Sequence, residues 1–131
     1  MKIAFIGRSE IIFETIKFFL DKKIQIGFVY TCKAENNYKK NESDIKKLCK
    51  KHKILYFCDT KINHKLEALK KTNVKLAFSI NYKARLSKNL LKLFKFGVFN
   101  AHLGDLPKFR GNATPNWAIL KEIKNIPLCF H

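Results

Sequence analysis

Acidic residues are scarce in this sequence: ten Asp and Glu stand against 27 Lys and Arg, a formal charge of +17 over 131 residues. Glycine is also sparse, with five in all. The first apolar stretch is followed by Gly7-Arg8-Ser9-Glu10-Ile11, not by Gly-x-Gly-x-x-Gly, so the close backbone approach to a pyrophosphate is missing. There is no Walker loop either, and the phosphate-cradling reading fails. No apolar run approaches the ~20 residues of a membrane span. The stretch Met1 to Gly7 has one basic residue and no small-residue cleavage site. It reads as a first strand, not a signal peptide, and the expected location is the cytoplasm. The four cysteines, Cys32, Cys49, Cys58 and Cys129, include no Cys-x-x-Cys pair, and in a cytosolic chain they are expected to be reduced. One metal-like spacing does occur, Cys49-x-x-His52 with Cys58 and His64. The first pair falls on a Lys-rich helix and Cys58 ends a strand, with no tight turn to bring the pairs together. These are read as scattered structural residues, and no metal is expected.

The positive charge has two readings. A basic balance this large can mark a nucleic-acid partner, and a non-catalytic basic binding module is the competing function. Yet the lysines are dispersed over every helix expected below, as Lys46-Lys47, Lys50-Lys51, Lys70-Lys71, Lys92 and Lys95. Arginine, the usual reader of bases, occurs only at Arg8, Arg85 and Arg110. The pattern is that of lysine used as the default solvated residue.

Apolar residues make up 47% of the chain and include twelve Phe, enough for the core of one domain. Lys2 to Ile6 reads as a strand closed by Gly7. From Ser9 or Glu10 a helix follows, with Ile12, Phe13, Ile16, Phe19 and Leu20 at helical spacing. Ile24 to Tyr30 is nearly all apolar, as a strand covered on both faces should be. Lys33 to Asn41 is a polar loop. The series continues with a helix over Glu42 to His52, a strand over Ile54 to Phe57 and a helix over Lys65 to Lys71. Val74 to Ile80 is the fourth strand, and Ser87 caps a helix reaching Phe94. Gly97 to Asn100 is the fifth strand. A fifth helix is capped by Asn112 or Thr114, has Pro115 in its first turn, and carries Trp117, Ile119 and Leu120. Leu128 to His131 begins a last strand. Strands alternating with helices predict an α/β, Rossmann-like domain, a mainly parallel sheet with helices on both faces and its last strand incomplete. Ligands of such sheets bind beyond the carboxyl ends of the strands, where Gly7, Ile80 and Asn100 fall.

The most informative stretch is Asn100-Ala101-His102-Leu103-Gly104-Asp105-Leu106-Pro107-Lys108-Phe109-Arg110-Gly111. Residues two apart on a strand point the same way, so the Asn100 amide and His102 imidazole project together. Gly104, Pro107 and Gly111 then impose an irregular loop. An amide donor beside a titratable ring suits polarising a carbonyl and moving a proton.

From Asn100 to Leu120 the sequence resembles the catalytic domain of the folate-dependent formyltransferases. That family has a strand ending in Asn-x-His, a Leu-Pro, aromatic, Arg-Gly loop, and a helix with Trp-Ala-Ile. Here these are Asn100-x-His102, Leu106-Pro107-Lys108-Phe109-Arg110-Gly111 and Trp117-Ala118-Ile119. Phe5-Ile6-Gly7 followed by Phe13 resembles the family's first strand and helix. Ser79-Ile80-Asn81-Tyr82 stands where the family's chain lines the folate pocket.

The resemblance implies transfer of a formyl group from 10-formyltetrahydrofolate, the cosubstrate, to a primary amine, with Asn100 and His102 catalytic. Folate contacts are implied at Ser79, Ile80, Asn81, Tyr82, Leu106, Pro107, Arg110 and Gly111. The family's amines include methionyl-tRNA, glycinamide ribonucleotide and nucleotide-linked amino sugars. Gly104-Asp105 and the Asn112-to-Trp117 stretch are nearer the sugar type, which makes a nucleotide amino sugar the expected substrate. The alternatives are methionyl-tRNA, which the charge favours, and glycinamide ribonucleotide, and the resemblance allows a homodimer of the full-length form. Ile126 to His131 resembles the start of the family's sixth strand, with His131 at the place of a His near its end. The family's catalytic Asp follows that strand and has no counterpart in the sequence. The expectation is therefore a partial catalytic domain, a truncated reading frame or a fragment, whose 131 residues alone are catalytically crippled.

Overall fold

The computed structural model describes residues 1–111 and 113–131. Its chain divides into two compact units, Met1–Phe99 and Asn100–His131.

In the first unit, strands and helices alternate as β1 (Ile3–Gly7), α1 (Ser9–Asp21), β2 (Ile26–Thr31), α2 (Glu42–Lys51), β3 (Leu55–Cys58), a 3-10 turn (Ile62–His64), α3 (Leu66–Lys70), β4 (Leu76–Ile80) and α4 (Lys88–Leu91). β1 pairs in parallel with β2 on one side and β4 on the other, and β2 with β3. Every residue of β1 is buried, so its alternating side chains feed two layers. Ala4 and Ile6 pack with Phe28, Tyr30, Ile62, Leu69, Leu90 and Phe94. On the opposite face Phe5 meets Phe19 of α1 edge to face, ring centroids 5.2 Å apart. This is the both-faces burial of a parallel α/β sheet. The sequence reading holds for the α/β, mainly parallel class and for these strands and helices. Asn41 caps α2 through a reciprocal box with Asp44, which stops the polar loop where the sequence placed its end. Ser87 caps α4, accepting from the Leu90 amide at 3.2 Å. Two elements differ from the reading. An unexpected 3-10 turn, Ile62–His64, precedes its third helix, which forms as expected over Leu66–Lys70, and its fourth shrinks to Lys88–Leu91.

The second unit holds most of β5 (Val98–Leu103), then α5 (Thr114–Leu120) and β6 (Leu128–Phe130), which runs antiparallel to β5. The expected capping of α5 is corrected. Ala113, at φ 56°, occupies the cap position without a side-chain bond, and the Thr114 hydroxyl instead donates to the Leu103 carbonyl. Asn112 lies outside the described residues. The helix buries Thr114 and Ala118, four apart on one face. Trp117 (55%), Ile119 (73%) and Leu120 (73%) stand exposed. Among the described residues, no helix is long and apolar enough to cross a membrane.

Two features of the first unit yield stability predictions. A Cβ on Gly7 would lie 1.9 Å from the Ile80 carbonyl oxygen, so β1 and β4 close at their carboxyl ends only because residue 7 has no side chain. Gly7→Ala is expected to destabilise by roughly 1–3 kcal/mol, the range of overpacked cores, read from the urea midpoint. Separately, the Tyr30 and Lys61 groups gather on Asp59. Tyr30 donates its hydroxyl to the carboxylate, and the Lys61 amide bonds the same oxygen at 2.7 Å. Burial pushes the Asp59 carboxyl up, but these bonds and the nearby Lys65 outweigh it and hold it below its ordinary value. A carboxyl lowered on folding adds stability above its unfolded value, ~3.9, and that stability is lost as pH falls through the folded one. Asp59→Asn, which keeps an acceptor for Tyr30, should lower stability at pH 7 and flatten its decline between about pH 5 and 3, measured by denaturant unfolding across that range.

Candidate active site

β5 runs to Leu103, three residues past the end at Asn100 that the sequence led us to expect. The pairing with β6 supplies the reason: Ala101, His102 and Leu103 face Phe130, Cys129 and Leu128. One step further along, Asn100 and His131 exchange both backbone bonds, at 2.8 and 3.2 Å. That is a hydrogen-bonded cross-strand pair, whose side chains share a face. Asn100, His102, Cys129 and His131 therefore form one polar face of the ribbon, and Ala101, Leu103, Leu128 and Phe130 the other. Asn100 and His102 project together, as expected from the sequence, but from within a strand and not from its exit.

The polar face is tightly bonded. His102 Nε2 lies 2.6 Å from the Phe109 carbonyl oxygen. A carbonyl only accepts, so Nε2 carries the hydrogen and Nδ1 is the nitrogen left to exchange a proton. Asn100 Nδ2 lies 2.9 Å from His131 Nε2, and the two imidazoles meet edge to face with centroids 6.1 Å apart. The Cys129 thiol donates to the Gly104 carbonyl at 3.1 Å. Gly104 is buried. A Cβ there would stand 2.8 Å from His102 Nε2 and 2.9 Å from the Phe109 oxygen.

The loop after β5 folds back through this contact. The Phe109 amide donates to the Asp105 carbonyl at 2.8 Å, and the Asp105 carboxylate faces Lys108 at 3.5 Å. Asp105 and Phe109 line one side of a cavity of about 290 Å³, completed by Ala118, Ile123, Asn125, Ile126 and Pro127. Of the folate residues implied for this loop, Leu106 is half-buried, and Pro107, Arg110 and Gly111 are exposed.

The remaining implied folate residues belong to the first unit, where the chain's own contacts engage them. Ser79 and Ile80 are buried in β4. Asn81 takes a left-handed conformation, φ 53°. Its amide donates to the Tyr38 hydroxyl at 2.9 Å, and its carbonyl accepts from Arg8 Nε at 3.1 Å. The Tyr82 hydroxyl donates to the Asp59 carbonyl at 2.9 Å.

Among the described residues, no group of three or more His, Cys, Asp or Glu side chains could hold a metal ion. Cys49, half of the metal-like spacing, is buried in α2, and burial pushes its thiol up to about 12, which keeps it protonated rather than a ligand.

Sequence reasoning missed Cys129 and His131 as members of the polar face. The available signal was the pairing register, which no local pattern encodes. Gly104→Ala is expected to break the His102–Phe109 contact. The His102 ring-nitrogen resonances should then move, with a loss of stability of roughly 1–3 kcal/mol. Unchanged resonances would mean that the loop absorbs a side chain without touching the ring.

No protein-family model matches the chain. Curated relatives do. The chain is 36% identical over 91 residues to the bifunctional polymyxin resistance protein ArnA of Wigglesworthia glossinidia brevipalpis, covering 68% of this chain and 14% of that one. It is 28% identical over 132 aligned positions to the methionyl-tRNA formyltransferase of Malacoplasma penetrans (strain HF-2), covering 98% of this chain and 42% of that one. Among solved structures, the phosphoribosylglycinamide formyltransferase of Bacillus halodurans superposes with a TM-score of 0.78 at 17% identity, over 100% of this chain and 71% of that one. A sugar N-formyltransferase of a Shewanella species superposes with a TM-score of 0.69 at 14% identity, over 100% of this chain and 50% of that one. The chain thus spans less than half the length of these curated relatives, and by sequence and fold together it is a homologue of the formyltransferases.

Proposed function

We propose that this chain carries the formyl-transfer site of an N-formyltransferase, with 10-formyltetrahydrofolate as donor and a primary amine as acceptor. The observation that carries the reading is the pairing of Asn100 and His102 on one strand face, with His102 Nε2 tied to the Phe109 carbonyl at 2.6 Å. The neutral amine attacks the formyl carbon, a C–N bond forms, and the carbonyl oxygen takes up negative charge. An Asn100 N–H faces that oxygen. Because His102 Nε2 is committed to Phe109, its proton traffic runs through Nδ1. That nitrogen takes the proton shed by the attacking amine and, as imidazolium, returns it as the bond to folate N10 breaks. The products are the formamide and tetrahydrofolate. The donors act on an oxygen whose charge grows only in the transition state, which is where a fixed amide is worth most.

The acceptor we favour is a nucleotide-linked amino sugar. Support comes from the Gly104-Asp105 loop, from the similarity to ArnA and from the shared fold of a sugar N-formyltransferase. The relation to a methionyl-tRNA formyltransferase and the charge of +17 favour methionyl-tRNA as the second candidate.

The test is a formyl-transfer assay with 10-formyltetrahydrofolate and a panel of nucleotide amino sugars, methionyl-tRNA and glycinamide ribonucleotide. Turnover with the amino sugars is expected, slow in these 131 residues because the family's catalytic Asp has no counterpart among them, and Asn100→Ala should slow it further by about 10²–10³, the usual effect of removing one oxyanion donor. Unchanged turnover in Asn100→Ala removes that residue from the chemistry. Turnover of methionyl-tRNA alone overturns the sugar assignment, and turnover of none overturns formyl transfer by this chain.

A further inference from the structure

A terminal amide presents two different atoms, a donor NH2 and an acceptor oxygen, and the torsion that exchanges them is broad and nearly two-fold. An Asn that must donate to a developing oxyanion therefore needs something to choose its orientation. With the amide turned over, its oxygen would face the negative charge and oppose the reaction.

We propose that His131 is the residue that makes this choice, a positioning residue acting on Asn100. This rests on the reading of Asn100 as the oxyanion donor. Asn100 Nδ2 and His131 Nε2 are 2.9 Å apart. Nδ2 can only donate, so Nε2 is the bare acceptor nitrogen, and the neutral His131 ring carries its hydrogen on Nδ1. One amide hydrogen is thereby fixed on His131 and the second is left to face the formyl oxygen. A ring with hydrogen on Nε2 would do the reverse, drawing the amide oxygen toward itself. The backbone holds the pair in place, since Asn100 and His131 exchange both main-chain bonds. The other titratable groups on this face are His102, with its ring centroid 6.1 Å from that of His131, and Cys129, whose thiol is bonded to Gly104. Neither is bonded to the Asn100 amide. The two histidines of one small face are thus assigned opposite tautomers, Nδ1–H for His131 and Nε2–H for His102.

Two measurements on the full chain test this. The first needs no activity: ring-nitrogen NMR of the ¹⁵N-labelled protein, at a pH where both imidazoles are neutral. Expected is a protonated Nδ1 in His131 and a protonated Nε2 in His102, with an Asn100 side-chain amide resonance that shifts in His131→Leu. An Nε2–H tautomer in His131, or an Asn100 amide indifferent to His131→Leu, overturns the proposal. The second uses the formyl-transfer assay. Misplacing a reacting group by an ångström can cost up to ~10² in rate, so kcat should fall at least about ten-fold in His131→Leu, with both KM values within about two-fold. His131→Gln, which keeps an acceptor at that reach, should recover most of the loss. Full kcat in His131→Leu, or an equal loss in both variants, overturns positioning while leaving formyl transfer standing. If the wild-type chain forms no product, the tautomers alone decide.

Discussion

The polar face of the second unit depends on the two main-chain bonds that Asn100 and His131 exchange across β5 and β6. Side chains on paired strands alternate with a period of two, so fixing one opposed pair fixes the facing of every other residue on the ribbon. His102 is then opposite Cys129, and the four polar side chains share one face. A slip of β6 by one residue would carry Cys129 and His131 to the opposite face and set Leu128 and Phe130 beside Asn100 and His102. Register here decides whether the amide and imidazole of β5 stand beside a second imidazole and a thiol or beside leucine and phenylalanine.

The first unit is built on a different constraint, the burial of β1 on both faces. It places Gly7 against the Ile80 carbonyl and brings the turn after β1 beside the end of β4. That turn is not relaxed. Ser9 is almost fully buried at φ 82°, and Asn81 lies at φ 53°, both in a region that L-residues seldom adopt. Arg8 ties down the Asn81 end. Its Nε bonds the Asn81 carbonyl, its Nη1 reaches Glu35 at 2.6 Å, and its guanidinium lies 5.4 Å from the Tyr38 ring centroid. One of only three arginines is thus spent inside the unit, where its planar set of donors can bind two loops at once. The lysines supply the net charge from the surface.

How much of this was legible in the sequence follows from which interactions are local. The alternation of β1, α1, β2, α2, β3 and β4 could be read because period-two and helical patterns are written into adjacent residues, as were the Ser87 cap and the Asn41 stop. The pairing of Asn100 with His102 on one face was legible for the same reason. Four features were not. β5 outruns its apolar stretch because β6, 25 residues on, supplies partners for Ala101 to Leu103. His131 and Cys129 join the site through that same register. Ile62 belongs to a 3-10 turn because it fills the core beside Leu69 and Leu90. The buried face of α5 is not marked by its large apolar residues, since Trp117, Ile119 and Leu120 stand exposed. What is buried is the small pair Thr114 and Ala118, set by the Thr114 bond to Leu103.

The loop from Gly104 to Gly111 also separates a residue packed against the His102 ring from residues whose side chains packing leaves free. A side chain at 104 would collide with the His102 ring and the Phe109 carbonyl, so Gly104 is required for the closeness of that contact. Asp105 and Lys108 are different. Their side chains are 50% and 79% exposed, and the 3.5 Å contact between them is a surface pair, of the kind worth little to stability. Neither holds the fold, and both can change without moving His102. Asp105 also lines the 290 Å³ cavity beside Phe109 and Asn125. On the proposed reaction the formyl oxygen is the same whatever the amine, so Asn100 and His102 would carry no specificity. On that proposal, discrimination between amines within this loop would fall to the side chains that packing leaves free, of which Asp105 is the one lying against a cavity.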